Sequence, residues 1–185
     1  KYIDIPVQHI TDNVLKSMRR GITQKTQKDL LQKLRDEIPG LAVRTTLITG
    51  YPDETEKDFE ELKEYISEYK FDRMGVFTYS NEEGTYAANI PDRIPYKEKL
   101  RRQKELLDIQ KKISEENNKN TTGKELKVLI DRMENDYYIG RSYKDAPEVD
   151  QEIFVSPTNR SLRTGEFYNV RVYDYEEFDL FGEVI

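Results

Sequence analysis

The stretch from Arg44 to Thr55 constrains this chain most, because it reads as a buried strand, a sharp turn and the start of a helix. Thr45, Thr46, Ile48 and Thr49 are β-branched and suit a strand. Gly50 allows close backbone approach, and Pro52 ends ladder pairing. Thr55 and Asp58 have the spacing of a capping box, and Phe59, Leu62, Ile66 and Tyr69 fall on one face of the helix that follows. A strand, a tight turn and a helix define an α/β unit, and α/β folds bind small molecules outside the carboxyl ends of their parallel strands. Strand-Gly-Pro-helix connections also occur where nothing binds, so the local pattern leaves both readings open.

The flanking residues repeat the unit. Tyr2 to Val7 alternates like a core strand already under way at the first residue, so the chain is expected to be the later part of a longer protein. A short helix is predicted after Thr11 and Asp12, with Val14, Leu15 and Met18 inward and Gly21 at its end. Leu30, Leu31, Leu34 and Ile38 form the stripe of a second helix, which stops at Pro39 and Gly40. Strands follow at Leu41 to Ile48 and Phe71 to Tyr79. This order requires parallel pairing with right-handed crossovers, and three such strands make only part of a sheet. Ser80 to Pro95 is a loop. Tyr96 to about Asn120 is one long helix, with Leu100, Gln103, Leu106, Leu107, Gln110 and Ile113 at helical spacing and its many charges on a solvated face.

Beyond Gly123 the period changes from helix to strand. Leu126 to Ile130, Tyr137 to Arg141, Glu152 to Val155, Phe167 to Tyr173 and Phe181 to Ile185 predict a small five-stranded antiparallel barrel, OB-like in kind, with Tyr137, Tyr138 and Phe154 in its core. The predicted organisation is therefore an α/β region at 1–95, a connecting helix at 96–121 and an all-β module at 122–185.

Composition narrows the chemistry. The chain of 185 residues has no cysteine and one histidine, which excludes a disulfide, a cysteine-ligated metal and a histidine-rich metal site within it. No apolar run approaches a membrane span, and a cytoplasmic protein is the default reading. The net charge is −6, and residues 122–185 alone carry 8 Lys and Arg against 14 Asp and Glu, which accounts for all of it. An acidic barrel repels phosphates and suits a basic protein partner better than a nucleic acid.

Three ordered stretches carry a resemblance: Asp4 to Arg20, Arg44 to Thr55, and Gly75 to Thr85. Together they resemble the later half of the radical S-adenosylmethionine domain of methylthiotransferases, a partial TIM-like βα barrel, and residues 122–185 resemble the TRAM domain of the same enzymes. One branch of that family modifies an adenosine in tRNA; the other adds a methylthio group to the β-carbon of an aspartate in a small-subunit ribosomal protein. His9 after Gln8, the pair Glu82 and Glu83, and the run from Gly140 to Asp150 are similar to the ribosomal-protein branch. The resemblance implies S-adenosylmethionine and two 4Fe-4S clusters as cofactors, a deoxyadenosyl radical that removes a hydrogen from the aspartate, and cluster cysteines upstream of Lys1. The cysteine-free segment alone is then expected to be inactive, with no catalytic residue of its own. By the same resemblance, Ile48 and Gly50 flank the adenine, Gln8 bonds the ribose or the methionyl group, and Arg44 pairs with a carboxylate. His9, Glu82 and Glu83 contact the basic substrate, and the motif's acidic residue is Asp53 or Glu54. Two other readings are a tRNA-modifying member of the family and a non-enzymatic acidic module that docks a basic protein.

Overall fold

A computed structural model describes residues 1–157 and 161–185, and its contacts divide the chain into two compact units, Ile3–Gln110 and Lys111–Ile185, the latter joined by Lys1–Tyr2. In the first unit the elements run β1 (Tyr2–Asp4), α1 (Asp12–Ser17), α2 (Gln24–Glu37), β2 (Ala42–Thr49), α3 (Glu56–Tyr69) and β3 (Arg73–Thr78), and then α4 (Tyr96–Lys119) begins. The sheet has the order β1-β2-β3, and β2 pairs with β3 in parallel, from Arg44 opposite Arg73 to Thr49 opposite Thr78. Along β2, Thr45, Leu47 and Thr49 are fully buried, while Arg44, Thr46 and Ile48 line a half-buried opposite face.

The capping box forms as its spacing predicts. Thr55 Oγ1 accepts from the Asp58 N–H (3.1 Å), and the Asp58 carboxylate accepts from the Thr55 N–H (2.9 Å). Phe59, Leu62 and Ile66 of α3 are fully buried, at about 1.5–3 kcal/mol of burial for each large apolar side chain. Two helix readings are corrected. Leu30 is 44% exposed; the buried stripe of α2 is Gln27 and Leu31 with Leu34 half-buried, because the Gln27 amide donates to the His9 carbonyl (2.9 Å) and so fixes the inward face. The left-handed residue that ends α1 is Arg19 (φ 56), not Gly21.

The charged face of α4 is not simply solvated. Lys99 and Arg102 are among its buried residues. Lys99, Gln103 and Gln110, on one side of the helix, donate to the carbonyls of Tyr79, Val76 and Phe71. Arg101 and Arg102 both bond Glu98 and Glu56. The Arg101 guanidinium, joined by Arg102, holds the Glu98 carboxyl down to about 2 from the usual 4.5. A carboxylate depressed in the folded state stabilises above its unfolded pKa, and the contribution is lost as pH falls through the folded one. Urea unfolding should therefore show stability falling as pH drops from about 4.5 toward 2. Glu98→Gln should flatten that part of the profile.

In the second unit β4 (Glu125–Glu134), β5 (Tyr137–Arg141), β6 (Ile153–Val155), β7 (Phe167–Tyr175) and β8 (Leu180–Val184) form a closed barrel in the order β4-β5-β6-β8-β7. It is not wholly antiparallel, since β6 pairs with β8 in parallel. Val128, Ile130, Ile153, Val155, Val170 and Val172 fill it. Gly140 and Gly182 stand where a Cβ would lie 2.5 Å from the Leu129 carbonyl oxygen and 2.4 Å from Val170 Cγ1. Tyr138 packs against the core as predicted. Tyr137 and Phe154 do not: Phe154 lies beside core residues Ile153 and Val155 on the alternate face, stacked on Phe181 (5.3 Å) with Tyr137 edge-on.

Candidate functional site

A cleft of about 680 Å³ opens at the carboxyl ends of the three strands. Its residues come from the ends of three consecutive strands, the turns after them and the end of α1, which is why no single motif displays it. After β1, Gln8 sits in the left-handed region (φ 66), its N–H donating to the Thr46 carbonyl (2.9 Å) and its own carbonyl accepting from Ile48 (2.8 Å). These bonds hold the strained backbone. The side-chain oxygen of Gln8 is buried and has no hydrogen-bond partner in this structure. Ile48 on β2 and Phe77 on β3, opposite each other in register, present neighbouring apolar surface to the cleft, and Phe77 is 60% exposed there. Tyr51 and Tyr79 meet edge to face at 5.3 Å, and the Tyr51 hydroxyl donates to the Ser17 carbonyl (3.0 Å). Burial pushes the Tyr79 phenol up. Met18, Arg19, Glu82 and Tyr86 complete the rim, with the Arg19 guanidinium 3.9 Å over the Tyr86 ring.

Behind the cleft, Glu54 organises the turn after β2. Its buried carboxylate accepts from the N–H groups of Gly50 and Tyr51 and from the Thr49 hydroxyl. Arg102 lies 3.5 Å away and donates to the Glu54 carbonyl (3.2 Å). His9 Nε2 is 3.8 Å from the same carboxylate, beyond hydrogen-bond reach. Between the two candidate acids the structure thus separates the roles: Glu54 holds the turn, while Asp53 is exposed and bonds Ser17.

The residues singled out in the sequence do not all meet. Gln8, Ile48 and Glu82 line the cleft; Glu83 is exposed outside its lining. Gly50 (φ 73) is buried behind it, its N–H spent on Glu54. Arg44 shares the face of Ile48 and pairs with the Asp4 carboxylate (2.9 Å), away from the cleft. His9 is the correction: it is fully buried rather than at the mouth, and its Nδ1 faces the Thr11 N–H (3.2 Å), which requires that nitrogen to accept. Sequence reasoning missed Tyr51, Tyr79, Phe77 and Tyr86. Tyr51 and Tyr79 lie within two residues of a strand end and Phe77 is the penultimate residue of β3, which was the available signal.

An adenosyl group fits these residues: an apolar strip beside aromatic rings, and a buried side-chain amide oxygen of Gln8 that lacks a donor. An iron-sulfur cluster does not fit them. The chain has no cysteine, and no group of three His, Asp or Glu among the described residues is placed to hold a metal.

A partial parallel α/β sheet with a cleft at its strand ends, followed by a closed five-stranded barrel, is the architecture expected of a radical S-adenosylmethionine protein with an accessory barrel. Comparison with known proteins agrees. Residues 1–66 match the Radical SAM superfamily and residues 122–185 match the TRAM domain. The chain is 53% identical to the ribosomal protein uS12 methylthiotransferase RimO of Bacteroides fragilis over 186 aligned positions, all of this chain and 43% of that protein. It is 50% identical to the protein of the same name from Cytophaga hutchinsonii and 47% identical to that of Christiangramia forsetii. The chain belongs to the radical S-adenosylmethionine methylthiotransferase family, and spans 40–43% of the length of these relatives.

Proposed function

We propose that this chain supplies one side of the S-adenosylmethionine cleft and the docking barrel of an enzyme that methylthiolates the β-carbon of an aspartate in ribosomal protein uS12, in the cytoplasm. The observation that carries the reading is the cleft, where a partnerless buried acceptor at Gln8 stands beside Ile48 and Phe77 at the strand ends. Ile48 and Phe77 pack on the adenine. Gln8 accepts a hydrogen bond from the ribose or from the methionyl ammonium. When bound there, S-adenosylmethionine would supply the hydrogen-abstracting species and the methyl group. Without cysteines this chain holds no cluster, so by itself it is inactive; its residues bind, orient and shield.

The substrate side is acidic. Glu82 on the rim and Glu83 beside it face a basic loop of the ribosomal protein. The barrel carries a separate acidic cleft of about 670 Å³, where Asp174, Glu176, Glu177 and Asp179 surround Phe178. Burial pushes the Asp179 carboxyl up, as expected where carboxyl groups crowd without enough water. Helix 96–121 acts as the connector between cleft and barrel.

Equilibrium dialysis of S-adenosylhomocysteine against the chain tests the cleft. Gln8→Ala should weaken binding about tenfold, the cost of one hydrogen bond to a charged or strongly polar group. Absence of saturable binding by the unaltered chain would remove the cofactor reading. For the barrel, a basic uS12 peptide should bind with a steep loss on adding salt, and tRNA should not compete. Competition by tRNA would move the assignment to the tRNA-modifying branch.

A further inference from the structure

Lys99 is a buried cation that the cleft chemistry above does not use. Only 4% of it is exposed, although it stands in a helix whose sequence reads as solvated charge. Burying an ammonium is costly unless it is paired and hydrogen-bonded, so each partner it has is a constraint on structure. Its Nζ donates to the Asp92 carboxylate (2.5 Å) and to the Tyr79 carbonyl (3.3 Å), and it lies 4.8 Å over the Tyr79 ring. Its stem does something else. A Cβ on Gly50 would lie 2.4 Å from Lys99 Cγ, so the turn after β2 descends directly onto the lysine methylenes.

One side chain therefore touches both turns that build the cleft wall. Gly50 precedes Tyr51, and Tyr79 is the residue the ammonium holds; these are the two rings that meet edge to face. Asp92 lies near the far end of the loop that carries Glu82 and Tyr86 onto the rim. The ammonium thus joins the two ends of that loop.

The geometry points to Lys99 as a positioning residue for the cleft: it clamps the turn after β2 to the loop after β3, and sets the Tyr51–Tyr79 wall and the rim above it. It touches neither cofactor nor substrate. The inference rests on the cleft reading above for its ligand consequence, but its structural core stands without a ligand.

Lys99→Met separates the two contacts, because methionine keeps an unbranched stem against Gly50 and removes the ammonium. Three measurements on the chain decide the matter, with Gln103→Leu as a control. Gln103 donates to the Val76 carbonyl one turn further along α4 and does not line the cleft. Amide exchange across residues 80–92 should accelerate at least tenfold in Lys99→Met and stay within twofold in the control. S-adenosylhomocysteine affinity should fall about tenfold in Lys99→Met and stay within twofold in the control. Adding Asp92→Asn to Lys99→Met removes the unpaired carboxylate, so the melting temperature should recover while affinity does not.

Unchanged exchange at residues 80–92 in Lys99→Met overturns the clamp, whether or not any ligand binds. Native binding with no loss in Lys99→Met overturns the positioning role and leaves the cofactor reading intact. A native chain that fails to bind, with accelerated exchange in Lys99→Met, sinks the cofactor reading while the clamp survives.

Discussion

Glu54→Ala should cost the first unit about 3–5 kcal/mol, the penalty for removing one partner from a buried charged network. Two backbone N–H groups, at Gly50 and Tyr51, would lose their acceptor inside the protein, and Arg102 would lose one of its carboxylates. Each unsatisfied buried donor alone costs about 1–3 kcal/mol. Because a domain is stable by only about 5–15 kcal/mol, the change should bring this unit close to unfolding at room temperature. Glu54→Gln keeps one acceptor oxygen at similar volume and should cost roughly half as much. Urea unfolding followed by hydrogen exchange in residues 42–78 checks this; a loss below about 1 kcal/mol for the alanine would show that water replaces the carboxylate.

Gly140→Ala should be nearly as damaging to the barrel. The added methyl would lie 2.5 Å from the Leu129 carbonyl oxygen and 2.7 Å from Val128 Cγ1, and the first of these is backbone of the neighbouring strand, so β4 itself must shift. Overpacking against atoms that cannot turn aside costs about 1–3 kcal/mol, and this contact belongs at the upper end. Gly165→Ala provides the comparison. Gly165 is left-handed (φ 83) with open space around its missing side chain, so only the backbone preference is lost, about 1 kcal/mol. Thermal unfolding of the two variants should therefore separate steric from conformational demand. Equal losses would mean that β4 yields to the methyl at little cost.

What could be read in the sequence was what local chemistry decides. The capping box at Thr55 and Asp58, the stripe of Phe59, Leu62 and Ile66, and Tyr137 to Arg141 as a strand each depend on neighbours a few residues apart. The failures share a cause in contacts distant along the chain. Leu30 looked inward because it is apolar, but the inward stripe runs through Gln27, whose amide reaches the His9 carbonyl, and Leu31, and leaves Leu30 outside. His9, the only histidine, invited a role at the mouth, whereas Thr11 and Glu54 enclose it. Lys99 and Arg102 resembled their solvated neighbours on α4, and only the turns packed on them show otherwise. In the barrel, alternation placed Ile153 and Val155 inside correctly; it also put Phe154 outside, which an aromatic preference for cores had obscured. The candidate site was legible in its scaffold residues Gln8 and Ile48. Its aromatic wall was not, because a single ring gains meaning only when another strand end brings a second ring to it.

The donors that α4 sends to β3 have a mechanical consequence. Lys99, Gln103 and Gln110 reach carbonyls at Tyr79, Val76 and Phe71, so they run the length of the strand in the opposite direction. Packed helices can ratchet past a neighbour by one turn of about 5.4 Å where their contacts are interchangeable methyl groups. Here such a slip would break these three hydrogen bonds together, although Gln103, one turn from Lys99, would then stand where Lys99 stood. The helix is keyed to its strand like a bolt in a slotted plate: between residues 99 and 110, three donors spaced along it oppose sliding of the helix over the strand.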